Sequence, residues 1–533
     1  MRADYVIVGA GSAGCVLANR LSADGARVVL LEAGPRDAHP MIHIPAGLRT
    51  LLNHPVLNWN YATETDDKNG NRSIHWPRGK TLGGSSSING MLYVRGNPAD
   101  YDGWAQRGCR GWSFDDVLPV FKKSEDYRNG GDDSYRGRGG VLPVEDYRTI
   151  LPLTHKFVEA AQEAGFPFTP DYNGQRQEGV AYSQMTRNVR FRASTARTFL
   201  AEAKTRPNLE VVTEAVATGL LLEGKRCVGV AYRRGGKDAA VRADREVIVS
   251  GGAINSPHLL QISGIGPGKH LQSIGVPVRH DLPGVGSNLS DHYVIRIAHR
   301  AKDGTLSINQ LARAPRVFRE IYRYAVHADG ALTFGVTSAM VFCRSREGLS
   351  SPDLQLLFTP ASYSAAEIKT FDRRPGMTVA VCPVRPESRG TIMAKSADAL
   401  EKPAIRPNYL TAEGDVHVLL AGMRHTRRIL GAPALAGYSE GEIAPGPEID
   451  SPDTVKDYGL RHGNTIYHPV GTCKMGEDPM AVVDSRLRVH GIAGLRVIDA
   501  SIMPTVTTGN TNAPTIMIAE KGAAMIREDA KAA

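Results

Sequence analysis

"DYVIVGAGSAGCVLANRLS", Asp4 to Ser22, joins a short apolar run to a cluster of glycines and a longer mixed segment. The apolar run reads as a buried strand, the glycines as a turn and the remainder as a helix. Gly9, Gly11 and Gly14 stand at G-x-G-x-x-G spacing. In that arrangement Gly9 permits the tight turn, Gly11 lets backbone approach a pyrophosphate, and Gly14 lets the helix pack closely on the sheet. The N–H groups of the helix start, at Ser12 and Ala13, are then free to face phosphate oxygens. A second strand, "RVVLLEAG", ends at Glu32, 18 residues after Gly14, where a carboxylate can accept hydrogen bonds from a ribose. A βαβ unit without a ligand is the plainer alternative. The strand before, the helix after and the acidic residue downstream together favour a dinucleotide site, for NAD or FAD alike.

Two further stretches bear on that choice. "GKTLGGSSSINGMLYVRG", Gly79 to Gly96, is rich in small residues for half its length and makes a poor helix or strand. Its backbone can lie against a flat ligand. "VIVSGGAINSPHLLQISGIG", Val247 to Gly266, reads as a strand, a tight turn and a helix with Ser-Pro in its opening region. A nicotinamide site needs no such additional walls, whereas an extended flavin dinucleotide does.

At 533 residues the chain calls for two or more domains, and 42% hydrophobic with 22% charged residues describes a globular protein. No run approaches the ~18 apolar residues of a membrane span, so no transmembrane segment is expected. The start enters a strand directly, which predicts a cytoplasmic protein; peripheral membrane contact is compatible with that. The six cysteines, Cys15, Cys109, Cys227, Cys343, Cys382 and Cys473, form no Cys-x-x-Cys pair, which argues against a metal site and a disulfide framework. Cys473 lies near His468 in sequence, but a small buried thiol is the better reading than a nucleophile. The net charge of +9 raises the question of nucleic acid. The densest basic stretch, Thr186 to Arg206, lacks interleaved aromatics, and its second part reads as a helix capped by Ser194 with solvated arginines. No nucleic-acid partner is expected. "FREIYRYAVHADGALTFG", in the middle third, has aromatics at near-helical spacing that read as core rather than as an ammonium cage.

Near the C-terminus stands "IYHPVGTCKM", Ile466 to Met475. Proline disfavours the helical region for the residue before it, so His468 is expected to be extended and held by stiff backbone. Among 16 histidines an ordinary loop residue is the first reading of that dipeptide. Farther on, "NTNAP" puts Pro514 at the first position of a helix, with Asn512 and Ala513 just before it at the positive end. Asn512 there has a capping role as its alternative.

With these motifs in order, the chain resembles the glucose–methanol–choline oxidoreductase family. The resemblance rests on the first glycine triplet with Glu32, on Gly79 to Tyr93, on Gly252 to Gly266, and on "YHPVGTCKMG" with "VIDASIMPTVTTGNTNAPTIMIAEKGA". It covers about Asp4 to Asp291 and Val381 to Ile526, and is strongest to the choline-dehydrogenase-like and alcohol-dehydrogenase branch. It implies an α/β fold (α+β overall): a Rossmann-like FAD domain in discontinuous pieces and a substrate domain on an antiparallel sheet with helices. The expected FAD domain is residues 1–150, 196–298 and 460–533, and the substrate domain 151–195 and 299–459. By resemblance, Gly9, Gly11, Ser12, Ala13, Gly14 and Glu32 hold the ADP half. Gly83, Gly84, Ser85, Asn89, Gly90 and Gly252 line the cofactor site, Val216 meets the adenine, and Asp499 and Ala500 close over the pyrophosphate. His468 matches the active-site histidine and Asn512 is taken as the second active-site side chain. Some members attach flavin to a histidine where this chain has Ile88, so non-covalent FAD is expected. The implied reaction is oxidation of a primary alcohol to an aldehyde, with His468 taking the hydroxyl proton and flavin N5 the hydride. Oxygen, a quinone or another acceptor would reoxidise the flavin. An oxygen-using aryl-alcohol-type oxidase and a choline dehydrogenase are the neighbouring alternatives. An FAD-containing hydroxynitrile lyase and a flavoprotein carrier without turnover come from other classes.

Overall fold

In the computed structural model, which describes residues 1–363 and 370–532, Asp4–Ser22 becomes strand Arg2–Val8 and helix Ser12–Ser22. Five parallel strands lie side by side in the order Leu209–Val212, Val28–Leu31, Arg2–Val8, Lys237–Val249 and Leu495–Val497. The four residues of Val28–Leu31 are all buried, as in a sheet covered on both faces. The long strand Lys237–Val249 also carries, along its first half, an antiparallel pair of strands, Arg226–Arg234 and Ala215–Glu223. Helices Ser12–Ser22 and Asn512–Ala532 pack on each other and on this sheet, sealing one hydrophobic core. Gly14 permits this packing: a Cβ there would come within 1.8 Å of the Gly9 carbonyl oxygen. Gly9 has φ +97°, a conformation that side chains rarely adopt.

A second sheet is antiparallel throughout. Its order is Ser439–Ala444, Tyr293–Ala301, Gly376–Pro383, Leu354–Thr359, Ala339–Cys343 and Gly179–Tyr182, with Asn464–Thr465 also paired to Tyr293–Ala301. Residues alternate between its faces with the period of two that strands impose. Ile295, Ile297, Leu356, Phe358, Val379 and Val381 point into a core beneath helices Pro152–Glu163 and Glu413–Leu430. Phe157 stacks on Phe358 there, ring centroids 4.1 Å apart. Each such side chain contributes roughly 1.5–3 kcal/mol of burial. The alternate residues, Arg296, Leu357, Thr359, Thr378 and Ala380, wall a large cavity. One sheet thus serves stability on one face and ligand contact on the other.

Several local expectations change. The boundary between residues 298 and 299 falls inside strand Tyr293–Ala301, because hydrogen bonding continues across it. Pro257 is the sixth residue of helix Gly252–Ile262, beyond its first turn. Pro514 is the third residue of its helix, since that helix already begins at Asn512. In Thr186–Arg206 the Ser194 hydroxyl does accept the Arg197 N–H, at 3.3 Å, but the helix starts with a π-helical turn at Ala196–Leu200. Its neighbours Arg187 and Arg192 are buried rather than solvated. Arg192 donates to the Ile42 carbonyl at 2.8 Å and to the Asn89 carbonyl and side-chain oxygens at 2.6 and 2.7 Å. Backbone oxygens of distant loops replace its water, which composition cannot reveal.

The aromatic stretch of the middle third is a helix, Arg316–His327, but not a core one. Phe318 and Tyr322 are exposed, and only Glu320 and Tyr324 are buried. Among the described residues no helix is long and apolar enough to cross a membrane.

Candidate active site

The cavity has a volume of about 930 Å³ and runs from the first glycine turn to His468. That is the upper end of the ~300–1,000 Å³ usual for small-molecule sites, room for an extended dinucleotide. At one end Gly9, Gly11, Ser12 and Ala13 line it beside Glu32 and Val216. An ideal Cβ on Gly11 or Gly252 would meet nothing within 4 Å, so both backbones face open space. The Glu32 carboxylate accepts the N–H of Ala10 at 2.9 Å and of Gly34 at 2.8 Å. Burial pushes its pKa up to about 7. Gly84, Ser85, Asn89, Gly90, Gly252, Asp499 and Ala500 line the middle. Gly14 and Gly83 do not line it; Gly83 stands behind the wall, donating its N–H to the Ala10 carbonyl at 2.7 Å. Asp499 accepts the Gly252 N–H at 2.8 Å and the Ser256 hydroxyl, which ties the C-terminal segment to the third glycine stretch. Open glycine backbone, helix N–H groups and an acceptor at the far end are a donor set that fits FAD.

His468 lines the cavity within an irregular stretch and is held from both sides of its peptide. Its N–H donates to Asp291 at 2.7 Å, while Arg78 donates to the carbonyl of Tyr467 at 2.8 Å. Asp291 is itself fixed by Thr465 at 2.6 Å and by the Tyr409 hydroxyl. Tyr467 has φ +70°, a left-handed conformation that a bulky residue keeps only when its surroundings enforce it. The direction of the imidazole therefore rests on tertiary bonds as well as on Pro469.

The ring itself is fixed by a second histidine. His292 faces the Val384 carbonyl through Nε2 at 3.2 Å, and a carbonyl can only accept. His292 Nε2 thus carries the proton, and burial keeps the ring neutral, its pKa brought down to about 4. Its bare Nδ1, 2.9 Å from His468 Nδ1, must accept, so the proton of His468 is on Nδ1. His468 Nε2 is left unprotonated, an acceptor. Burial, then His292, then Arg78 hold the His468 pKa well below 6.5.

The side chain that meets Nε2 is Asn510, whose Nδ2 lies 3.0 Å away. Asn512, expected there, instead donates to the Ser12 hydroxyl at 2.8 Å and joins the starts of helices Ser12–Ser22 and Asn512–Ala532. The two asparagines of "GNTNAP" carry the same chemistry, and only the position of the first helical turn decides which one turns toward His468. Asn510 Oδ1 is buried with no hydrogen-bond partner among the described residues. Such an atom costs stability unless a ligand supplies a donor. Cys473 is fully buried and its thiol pushed well up by burial, which suits a small core residue better than a nucleophile. His292 and Asn510 are the residues sequence reasoning missed. His292 lies in no motif, and Asn510 lies in the same NTNAP stretch as Asn512, where nothing in the spacing prefers one asparagine to the other.

Models of the GMC oxidoreductase family match residues 3–294 and 386–519. The chain is 44% identical to an alcohol dehydrogenase [acceptor] of Pseudomonas putida, over 98% of this chain and 95% of that protein. It is 43% identical to an oxygen-dependent choline dehydrogenase of Brucella anthropi, again over 98% and 95%. Among solved structures it superposes on pyridoxine 4-oxidase from Mesorbium loti with a TM-score of 0.89, at 31% identity over 99% of each chain.

Proposed function

The chain belongs to the GMC oxidoreductase family, and from that premise we propose that it is an FAD-dependent enzyme oxidising a primary alcohol to its aldehyde. FAD, when bound, supplies the acceptor for the hydride that leaves the alcohol carbon, and oxygen, a quinone or another acceptor restores it. Gly9 to Ala13, Glu32 and Val216 would hold its ADP half, and Gly84 to Gly90 with Asp499 and Ala500 the remainder, without a covalent link, because Ile88 offers no nucleophile.

The observation that carries this reading is the bare Nε2 of His468 on the cavity wall. A lone pair held there takes the hydroxyl proton as the carbon loses hydride. Asn510 Nδ2, 3.0 Å from that nitrogen, is a donor that can turn to the substrate oxygen while the hydroxyl proton goes to Nε2. The sheet wall of the cavity and its neighbours add apolar side chains, Leu357, Ala380, Phe334 and Phe371.

Choline fits this wall poorly. Arg296 lines it with no ion pair or hydrogen bond among the described residues, and a trimethylammonium group would meet that charge. We therefore favour an uncharged alcohol. The cofactor domain is best drawn with the same segments as expected but ending before Tyr293, where the antiparallel sheet begins. The six buried free cysteines suit a reducing compartment such as the cytoplasm.

The test is anaerobic mixing of the FAD-loaded protein with alcohols of different classes. Bleaching of the oxidised flavin band by an uncharged primary alcohol is the expected result. A flavin that stays oxidised with every alcohol, while a cyanohydrin is cleaved, would turn the assignment to a lyase.

A further inference from the structure

We propose that helix Arg316–His327 docks this protein on the surface of an anionic phospholipid bilayer. The helix turns a row of large apolar side chains to solvent: Phe318 is 67% exposed, Ile321 46%, Tyr322 58% and Val326 53%. Phe318, Ile321 and Tyr322 are at i, i+3 and i+4, one above another on a single face, with Val326 a turn farther on. A contiguous apolar patch of this kind marks a surface that something covers.

The charges on the helix say what covers it. Its one acidic residue, Glu320, is turned inward, where it accepts the Ala331 N–H at 2.6 Å and pairs with Arg323. The outward side carries Arg316 and Arg319, neither of which has an ion pair or hydrogen bond among the described residues. Arg313, just before the helix, is also exposed, although it donates to the carbonyls of Phe371 and Asp372. Apolar side chains edged by arginines, with no exposed carboxylate among the residues of the helix, suit a helix lying in a lipid interface, with phosphate headgroups around the cations. A second copy of the same face would set one arginine row against another, which disfavours a symmetric dimer through it.

The helix also adjoins the cavity. Val317 and Ile321 line it, and Ile321 is exposed to solvent as well, so the cavity reaches the surface at this face. Docking would place that opening against the bilayer, where apolar molecules concentrate. The docking argument itself is independent of which reaction the cavity performs.

Flotation of the FAD-loaded protein with lipid vesicles tests this. Vesicles of equimolar phosphatidylcholine and phosphatidylglycerol should carry the protein at low salt, and phosphatidylcholine alone should carry about tenfold less. Added salt should weaken the binding. Phe318→Ser with Tyr322→Ser, and separately Arg316→Glu with Arg319→Glu, should each reduce binding about tenfold or more. None of these four residues lines the cavity, so FAD content and turnover of a water-soluble alcohol with a soluble acceptor should be retained. Absence of flotation with the anionic vesicles overturns the proposal, as does equal binding by the variants. A wild-type dimer by light scattering that the variants split, with vesicles ignored, would show that a second copy covers the face instead.

Discussion

His292 and His468 meet Nδ1 to Nδ1 at 2.9 Å with a single proton between them, and the Val384 carbonyl behind His292 determines that the proton belongs to His468. Removing His292 should therefore disturb the base without touching the substrate. In His292→Ala the His468 proton can move to Nε2, the atom that must be bare, and the rate of anaerobic flavin reduction should fall about 10- to 100-fold. The loss of a neighbour that depresses the His468 pKa, and the entry of water, should shift the acid limb of the pH profile upward. A purely structural His292 would lower FAD content and leave the profile per bound FAD unchanged.

The wild-type pH profile is itself a prediction. A base works only when unprotonated, and burial holds His468 well below 6.5. Flavin reduction should stay on its plateau as pH falls through 6.5 and decline only at more acid pH. A limb centred at or above 6.5, on chemistry shown to be rate-limiting, would contradict a buried neutral His468.

His468→Ala should fold and bind FAD yet reduce it ~10² to 10⁴-fold more slowly, the usual effect of a lost general base. Stopped-flow reduction normalised to bound FAD is the measurement. A near-normal rate in the surviving holoenzyme would end the catalytic assignment.

The two asparagines should separate cleanly. Asn510→Ala removes the group at His468 Nε2 and should slow reduction about tenfold with FAD retained. Asn512→Ala breaks the bond to Ser12 and should weaken FAD binding, with a near-normal rate per bound FAD. The reverse pattern would return the active-site role to Asn512.

Arg296→Met should raise kcat/KM for choline relative to an uncharged alcohol of similar size by about tenfold, because it removes a like charge from the wall of a poorly solvated cavity. An unchanged ratio would place Arg296 away from the bound substrate.

How far the sequence reaches is clear from particular residues. Gly9, Gly11, Gly14 and Glu32 were legible because their work is local: a turn, a close helix–strand contact and an acceptor at the end of the next strand all follow from spacing along one βαβ unit. His468 was singled out by the family resemblance; its proline said only that the backbone there is stiff. The exposed face of Arg316–His327 was not, because aromatic periodicity shows that a helix has a face and leaves open whether that face meets protein or water.

Sequence alone pointed to an α/β chain with a dinucleotide-type glycine turn and, through resemblance, to a histidine near its C-terminus. Only the tertiary structure decided which atom of that histidine is bare, since His292 stands 176 residues away in the chain and becomes its neighbour through the start of strand Tyr293–Ala301. The choice of Asn510 over Asn512 and the burial of Arg192 among carbonyls were decided in the same way. Hydrogen bonds between distant segments have no period and leave no spacing to read; they exist once the segments are packed, and there they determine where each proton sits.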